Sequence, residues 1–186
     1  MNIYQSCPTL ESQNYIIRLF DEEDCNDLLK VYSDKKALPF FNSDNCDGDN
    51  FYYPTIDKMN DVLKFWQFAY DNGWFVRLSI ENKTTSTIIG TVELCKRKFD
   101  DNFNNMVILR IDLRSDYEKE DVLYELITLI EPNLKTMIGG NGVITKGCNY
   151  AIERIKALQK AGFKKSEQYL IGKTGYLYDG YWQIDY

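Results

Sequence analysis

The junction between a strand pattern and a helix pattern decides the fold of this chain, and it lies at residues 111–126, which read IDLRSDYEKEDVLYEL. A strand-like run ends at Leu113, and apolar residues at helical spacing follow a few positions later. Between the two patterns stand Asp116, Glu118, Glu120 and Asp121, with Lys119 among them. A helix N-terminus offers free N–H groups and positive partial charge, so it is a natural anion site. Because carboxylates of the chain already crowd this helix N-terminus, the sequence raises the question of what ligand the junction can bind.

The composition indicates a folded, mildly acidic protein. The chain has 186 residues, 44% of them hydrophobic and 15% aromatic, and we expect one domain over residues 1–186. A net charge of −6 and the lack of a basic stripe argue against nucleic acid as a partner. The start of the chain does not read as a signal peptide, and no apolar run has the length of a membrane span. We therefore expect a cytoplasmic protein without a membrane partner.

The residue types present restrict the chemistry. There is no histidine, which excludes a Ser-His-Asp triad, a Cys-His pair and histidine zinc sites. The five cysteines are widely spaced with no C-x-x-C, so we expect reduced thiols and no metal site. Any acid–base chemistry must use carboxylate, Tyr, Cys, Lys or water.

Hydrophobic periodicity predicts alternating strands and helices along the chain. Strands are expected at 14–20, 74–81, 87–97, 106–115 and 140–147, with a closing pair around the IGKTG turn at 171–175. Helices are expected after an Asp21 N-cap, at 55–72, from 118 to a stop near Pro132, and at 149–161 before a Gly162 cap. The order β-α-α-β-β-β-α-β-α-β-β indicates an α/β (α+β) fold, a mixed sheet with helices on both faces.

Two stretches resemble ligand-binding motifs, but each lacks a residue that its motif requires. The GKT at 172–174 ends like a phosphate-binding loop, but Glu167 stands where that loop needs glycine. The stretch SDNCDGDN at 43–50 looks like a calcium loop, but Pro54 stands where the bidentate acid is needed. We interpret the first as a hairpin turn and the second as a solvated loop.

Three segments carry a resemblance to a known family: residues 16–34 (IIRLFDEEDCNDLLKVYSD), 74–95 (WFVRLSIENKTTSTIIGTVELC) and 153–167 (ERIKALQKAGFKKSE). In order and spacing they resemble the GNAT superfamily of acetyl-CoA-dependent N-acetyltransferases, in particular its RimJ/RimL-like branch. The resemblance implies a GNAT-like mixed central sheet in which two parallel strands splay apart. It also implies that acetyl-CoA lies in that gap, with its pantetheine paired to the end of strand 106–115.

The resemblance further implies a pyrophosphate loop of the form (Arg/Gln)-x-x-Gly-x-(Gly/Ala) at the opening junction. In this chain the residues implied to bind the cofactor are Leu113, Arg114, Ser115, Lys119, Val122 and Asn149. The loop positions themselves depart from the family, because they hold Glu118, Asp121 and Leu123. Each carboxylate near a pyrophosphate would repel it by about 1 kcal/mol. The sequence thus predicts weak or absent acetyl-CoA binding.

The late helix departs from the family as well. The asparagine that precedes this helix in the family would fall on Ala151, and Asn149 lies two residues early. A tyrosine that acts as general acid in some members would fall on Leu158, which leaves the leaving thiolate without an obvious proton donor.

Two carboxylates are candidates for the catalytic base that acetyl transfer to an amine requires. Asp112 shares a strand face with Arg110 and Arg114, so it could instead be a salt-bridged carboxylate with a lowered pKa. Glu93, on the strand TVELC, could instead be a cross-strand partner of a lysine. Cys148 near the cleft could be reactive or could pack inertly.

Two functional hypotheses follow. The first is an acetyl-CoA-dependent N-acetyltransferase in which a primary amine, at a protein N-terminus or on a small molecule, attacks the thioester directly. The alternative is a non-catalytic binding or regulatory protein with the same fold that has lost acetyl-CoA binding. The sequence leaves the acceptor and the oligomeric state open.

Overall fold

The computed structural model describes residues 2–186 and contains one large mixed sheet. The strands are Leu10–Glu11 (β1), Tyr15–Leu19 (β2), Val76–Asn82 (β3), Thr87–Lys96 (β4), Val107–Leu113 (β5), Gly142–Lys146 (β6), Lys164–Lys165 (β7), Leu170–Ile171 (β8), Leu177–Tyr178 (β9) and Tyr181–Asp185 (β10). Eight of them form the sheet in the order β1-β2-β3-β4-β5-β6-β10-β7, and β8 pairs with β9 alone. Over residues 2–186, no helix is both long enough and apolar enough to cross a membrane.

Four α-helices cover the two faces of the sheet: Cys25–Tyr32 (α1), Ile56–Asp71 (α2), Glu120–Met137 (α3) and Ile152–Lys160 (α4). The apolar sides of α3 and α4 pack on one face, in the main core with the inward residues of β3, β4 and β5. The apolar sides of α1 and α2 build a second, aromatic core on the other side. The predicted fold class, a mixed sheet with helices on both faces, is confirmed.

The N-terminal elements begin where the sequence places their caps. Asp21 accepts from the backbone N–H of Glu23, and Asp24 closes the capping box around a short 3-10 helix that leads into α1. Thr55 caps α2 by accepting from the N–H of Lys58. These local signals fix both helix starts because each side-chain oxygen satisfies an N–H that the helix itself cannot.

Helix α3 does not stop near Pro132, which corrects the predicted end. It continues to Met137, although proline removes one intrahelical hydrogen bond. The last turn remains helical because Leu134 and Met137 are buried in the main core. Tertiary packing thus overrides the local helix-breaking signal.

The C-terminal region also differs from the prediction. Helix α4 begins at Ile152 rather than at 149, and it ends before Gly162, whose φ of +90° suits the predicted glycine cap. The hairpin around 171–175 exists as β8 and β9, but it lies outside the main sheet. Strand β10 joins the main sheet by pairing antiparallel with β6, and the two-residue strand β7 pairs with β10 at the edge.

The two central parallel strands separate, as the resemblance implies. Strands β5 and β6 pair only at Val107 with Val143 and at Ile108 with Ile144. Beyond these pairs β5 continues to Leu113 and β6 to Lys146 without further pairing. The carboxyl ends of the two strands therefore border a gap in the sheet.

Gly90 provides a test of this packing. A Cβ at Gly90 would lie 2.2 Å from the carbonyl oxygen of Asp112 on the neighbouring strand β5. We expect Gly90→Ala to lower the free energy of unfolding by about 2–3 kcal/mol, because overpacking forces the strands apart. Urea denaturation measures the change. Thr87→Ala on the same strand is the control, and a loss of less than about 0.5 kcal/mol for Gly90→Ala would contradict the proposed close approach.

Candidate functional site

Two rows of polar side chains cross strands β3, β4 and β5 on the face toward α1 and α2. Strand register sets both rows, which are Arg77–Glu93–Arg110 and, beside it, Ser79–Thr91–Asp112. All six residues are buried. The alternate positions on the same strands are apolar and pack in the main core, so the period-two pattern separates a charged face from an apolar face.

Arg77 joins the two rows. Its Nη1 donates to Asp112 Oδ2 at 2.7 Å and to the hydroxyl of Tyr32 at 3.1 Å, and its Nη2 donates to Glu93. All four residues are at most 3% exposed. Loss of one member would leave a buried charge without its partner, which costs about 3–5 kcal/mol in known cases.

Two aromatic rings cover the Arg77 guanidinium. Its Cζ lies 4.8 Å from the ring centroid of Trp66 on α2 and 5.3 Å from that of Phe51. Both distances are within the range of cation–π attraction. The aromatic core under α1 and α2 therefore serves to exclude water from the ion pairs.

Arg110 extends the network to the gap between β5 and β6. It pairs with Glu93, and its Nη2 donates to the backbone carbonyl of Asp44 at 2.9 Å. The carboxylate of Asp44 in turn pairs with Lys146 at the end of β6 and accepts from the hydroxyl of Tyr181 at 3.1 Å. Asp44 thus bridges the two separated strands.

The two predicted catalytic carboxylates differ in their protonation behaviour. Burial raises the pKa of Asp112, although Arg77 opposes the shift. Burial also acts on Glu93, but Arg110 and Arg77 outweigh it and hold its pKa below the ordinary value. The lowered pKa anticipated for a salt-bridged Asp112 is therefore wrong in direction, and the partners of Glu93 are arginines rather than a lysine. The catalytic roles of Asp112 and Glu93 stay predictions.

The residues implied to bind the cofactor lie on both sides of the gap. Leu113 is buried at the end of β5, and Val122 is buried in the first turn of α3. Arg114 pairs with Asp116 at 2.6 Å. Lys119 is exposed at the N-cap of α3, and Asn149 is exposed in the turn between β6 and α4. Ser115 contributes its backbone N–H, as described next. Their cofactor-binding roles stay predictions.

Carboxylates of the chain itself occupy backbone N–H groups at the β5–α3 junction. The N–H of Ser115 donates to Asp34 Oδ2 at 2.9 Å. The N–H of Glu120, the first residue of α3, donates to Glu153 Oε2 at 3.2 Å. Hydrogen bonds hold the pKa of both acids low, against an opposing burial effect that is the largest contribution for Asp34. Both are therefore anionic near neutral pH.

Glu118, which stands where the resemblance implies Arg or Gln, already has a side-chain partner. Glu118 is buried and accepts two hydrogen bonds from Arg154 of α4, from Nε and Nη2 at 2.7 Å each. Such a bidentate pair fixes both side chains. Arg154 is therefore committed to Glu118 rather than available to a phosphate.

Residues 34–44 cross the opening of the gap, and we call this segment the strap. Asp34 binds the end of β5, and the carbonyl of Pro39 accepts from the hydroxyl of Tyr150 at 2.6 Å beyond the end of β6. The Phe40 and Tyr150 rings also contact each other, with centroids 6.2 Å apart. With Asp44 bridging β5 and β6, the strap is tied to both sides of the gap.

The residues present do not fit acetyl-CoA at this junction. A pyrophosphate would meet two N–H groups that already hold carboxylates, and Asp121 adds further negative charge. Leu158, where some family members carry a general acid, is 1% exposed and has no proton to donate. The weak acetyl-CoA binding expected from the sequence stays a prediction.

Sequence reasoning missed several residues of this site. Arg77 and Arg110 each interrupt an apolar strand run, and a charge at such a position was a usable signal of a buried ion pair. Asp34, Asp44 and Glu153 gave no such signal, because they stand in polar surroundings where acids are common. Their partners lie 81, 102 and 33 positions away along the chain.

The pKa shifts of Glu93 and Asp112 predict opposite effects of pH on stability. Ionised Glu93 stabilises the fold above its ordinary pKa of 4.5, and this contribution is lost as the pH falls through its lowered value. Asp112 has a raised pKa, so its protonation stabilises the fold as the pH falls toward its ordinary value of 3.8.

Urea unfolding of three variants over about pH 3 to 6 tests these signs. We expect Glu93→Gln to flatten the acid-side loss of stability and Asp112→Asn to steepen it, whatever their absolute stabilities. Glu167→Gln, an exposed acid, is the control. Parallel pH profiles for all variants and the wild type would contradict the assigned shifts.

Comparison with known proteins relates this geometry to solved structures. No family model matches the chain, and no curated protein matches its sequence. A GNAT-family acetyltransferase from Bacillus anthracis matches over 96% of this chain and 98% of its own, with a TM-score of 0.70 and 11% identity. The ribosomal-protein-S5-alanine acetyltransferase from Vibrio fischeri matches over 95% and 94%, with a TM-score of 0.68 and 14% identity.

A third solved structure matches this chain with similar coverage and a similar TM-score. It is an acetyl transferase from Salmonella typhimurium that modifies the N-terminal serine of ribosomal protein L7/L12, and it matches over 96% of this chain and 99% of its own, with a TM-score of 0.66 and 12% identity. Together with the separated strands β5 and β6, these likenesses confirm the resemblance inferred from the sequence: the chain has the fold of the GNAT acetyltransferases, with ribosomal-protein acetyltransferases among its structural neighbours.

Proposed function

We propose that this protein is a ligand-binding member of the GNAT fold that does not use acetyl-CoA. The observation that carries the proposal is that carboxylates of the chain already accept hydrogen bonds from backbone N–H groups at this junction, Asp34 from Ser115 and Glu153 from Glu120, which lies within the implied loop positions 118–123. An intramolecular carboxylate is present at high effective concentration, so a diffusing anion competes with it at a disadvantage.

Electrostatics support the same conclusion. The junction carries Asp34, Glu153 and Asp121, and Lys119 is the cation nearest in sequence. Arg114 and Arg154 are already paired with Asp116 and Glu118. Since like charges repel and both local arginines are neutralised, a pyrophosphate would gain little on entering.

The two thiols and the carboxylate that line the cavity beside β4 are poorly suited to act as nucleophile or general base. Burial raises the pKa of the Cys46 and Cys95 thiols to about 11 and about 12, so both are neutral and weakly nucleophilic at neutral pH. Glu93 is held ionised between two arginines, which disfavours proton uptake from an amine. The free thiols of the described chain agree with the expected cytoplasmic location, which stays a prediction.

N-acetyl transfer is the second candidate function. It is favoured by the separation of β5 from β6 and by a carboxylate, Glu93, beside the cavity on β4. The acceptor would be a primary amine of a protein N-terminus or of a small molecule, as the ribosomal-protein acetyltransferases among the structural neighbours suggest. This function would require the strap to leave the gap before acetyl-CoA enters.

Isothermal titration with acetyl-CoA distinguishes the two candidates. We expect the wild-type protein to give no saturable heat up to millimolar acetyl-CoA, at low and at moderate salt, because its own carboxylates hold the anion site. Micromolar binding would overturn the proposal and favour acetyl transfer, and a screen of amine acceptors would then follow.

Replacement of the two occupying carboxylates sharpens the test. We expect Asp34→Ala combined with Glu153→Ala to raise the affinity for inorganic pyrophosphate by about tenfold, since both substitutions remove a negative charge and free a backbone N–H group. Glu167→Ala removes an exposed acid elsewhere and is the matched control. Equal pyrophosphate binding by the double variant and the control would show that these carboxylates do not exclude the anion.

A further inference from the structure

A cavity of about 660 Å³ opens between α2, the residues that follow the strap, and the ends of β3, β4 and β5. We call it the α2 cavity. Six aromatic residues line it: Phe51, Tyr53, Phe65, Trp66, Trp74 and Phe75. Phe65 and Trp74 are 50% and 56% exposed, so aromatic surface faces solvent at the mouth. The size and lining are those of a small-molecule site.

The acidic groups that line the α2 cavity already have partners. Asp47 pairs with Lys173 at 3.3 Å, and Asp61 pairs with Lys64 at 3.4 Å. Asp49 accepts hydrogen bonds from the Phe51 N–H and the Tyr53 hydroxyl, at 2.7 and 2.9 Å. Glu93, the fourth acid, is paired with two arginines.

Three lysines that line the α2 cavity have no carboxylate partner. Within residues 2–186, no carboxylate oxygen lies within 4.0 Å of Nζ of Lys58, Lys96 or Lys98. Lys58 and Lys98 are exposed, and Lys58 Nζ lies 5.8 Å from the Tyr53 ring centroid. The uncompensated charge at the mouth of the cavity is therefore positive.

The floor of the cavity lacks acceptors rather than donors. Arg77 and Arg110 both line it, and Nε of each is buried without a hydrogen-bond partner in the described chain. Unpaired buried donors are rare because each costs the free energy of a lost hydrogen bond. Because both Nε atoms are buried, the two arginines contribute positive potential beneath the cavity rather than free donors to its contents.

The balance of basic and acidic residues around the α2 cavity is opposite in sign to that of the whole chain. Seven of the 22 basic residues line the α2 cavity, compared with four of the 28 acidic residues. Asp101 and Asp112 offset two of the arginines from outside the lining. An adjoining cavity shares Trp74, Lys96 and Lys98, adds Lys135, and has no acid in its lining. A positive region in a chain of net charge −6 attracts anions selectively.

We propose that the α2 cavity binds a small organic anion in which a carboxylate is attached to an aromatic ring. The ring would stack among the aromatic walls, and the carboxylate would face the unpaired lysines and the arginine floor. The inference rests on the proposed function in taking this cavity, rather than the gap between β5 and β6, as the ligand site.

The same features disfavour a cationic amine. A protonated amine entering the cavity would meet three unpaired lysines, while each acid of the lining is already engaged. A ligand preference for negative charge therefore separates the proposed site from an acceptor site for amines.

Isothermal titration with three related probes tests the inference on the full chain. The probes are phenylacetate, phenylacetamide and phenethylamine, which share the ring and differ in the charge of the substituent. We expect saturable binding of phenylacetate, about tenfold weaker binding of the neutral amide, and no detectable binding of the amine. Equal binding of all three, preference for the amine, or no binding of phenylacetate would overturn the proposal.

Rim variants locate the site. Lys58→Gln and Lys98→Gln remove exposed charges with no ion-pair partner, so the fold is expected to persist. We expect each to weaken phenylacetate binding about threefold and the double variant about tenfold, while binding of phenylacetamide stays unchanged. Lys164→Gln removes an exposed charge on β7, at the far edge of the sheet, and should leave both affinities unchanged. Equal losses for the control and the rim variants would place the ligand elsewhere.

Acetyl-CoA titrated in parallel separates this inference from the proposed function. If neither acetyl-CoA nor phenylacetate binds, the proposed ligand class is wrong while the absence of acetyl-CoA binding stands. If acetyl-CoA binds and phenylacetate does not compete with it, the proposed function fails independently of the cavity.

Discussion

The structure depends on the cross-strand row Arg77–Glu93–Arg110, a line of alternating charges buried across three central strands. Strand register alone sets this row, because a slip of one residue would move the charges to the face that packs on α3 and α4. Charges at this depth require partners and exclusion of water. The aromatic rings of Trp66 and Phe51 exclude water above Arg77, and the hydroxyl of Tyr32 adds a hydrogen bond. The polar face therefore dictates the aromatic character of the core beneath α1 and α2.

The same ion-pair network explains how the strap is held across the gap between β5 and β6. Arg110 holds the backbone of Asp44, and this contact anchors one end of the strap that crosses between β5 and β6. At the other end, Asp34 satisfies the N–H of Ser115. The fold keeps the anion-binding geometry of a strand-to-helix junction, but the anion is now part of the chain. Unpaired positive charge lies in a different place, at the α2 cavity, where three lysines of the lining have no carboxylate partner.

Sequence patterns predicted most elements because those elements obey local rules. Strand β5 and helix α3 show clear periodicity, and the Asp21 and Gly162 caps act within a few residues. The errors arose where packing outweighs local preference. Helix α3 passes Pro132 because buried residues hold its last turn, and β10 joins the sheet through pairing with a strand 35 or more positions earlier. The sequence singles out Glu93 and Asp112 as candidate bases, which stays a prediction, and the direction of the Asp112 pKa shift depends on a burial that sequence does not report.

The sequence by itself determined the mixed fold, the excess of carboxylates at the β5–α3 junction and the absence of glycine from positions 118–123. These features depend on residue type and on spacing over a few positions. Only the tertiary structure decided what replaces the missing anion, which ion pairs neutralise Glu93, and where unpaired positive charge collects. Asp34 meets Ser115, and Asp44 meets Lys146, across 81 and 102 positions of chain. Contacts of that kind follow from how the strands and the strap are arranged in space, because no local propensity links residues so far apart.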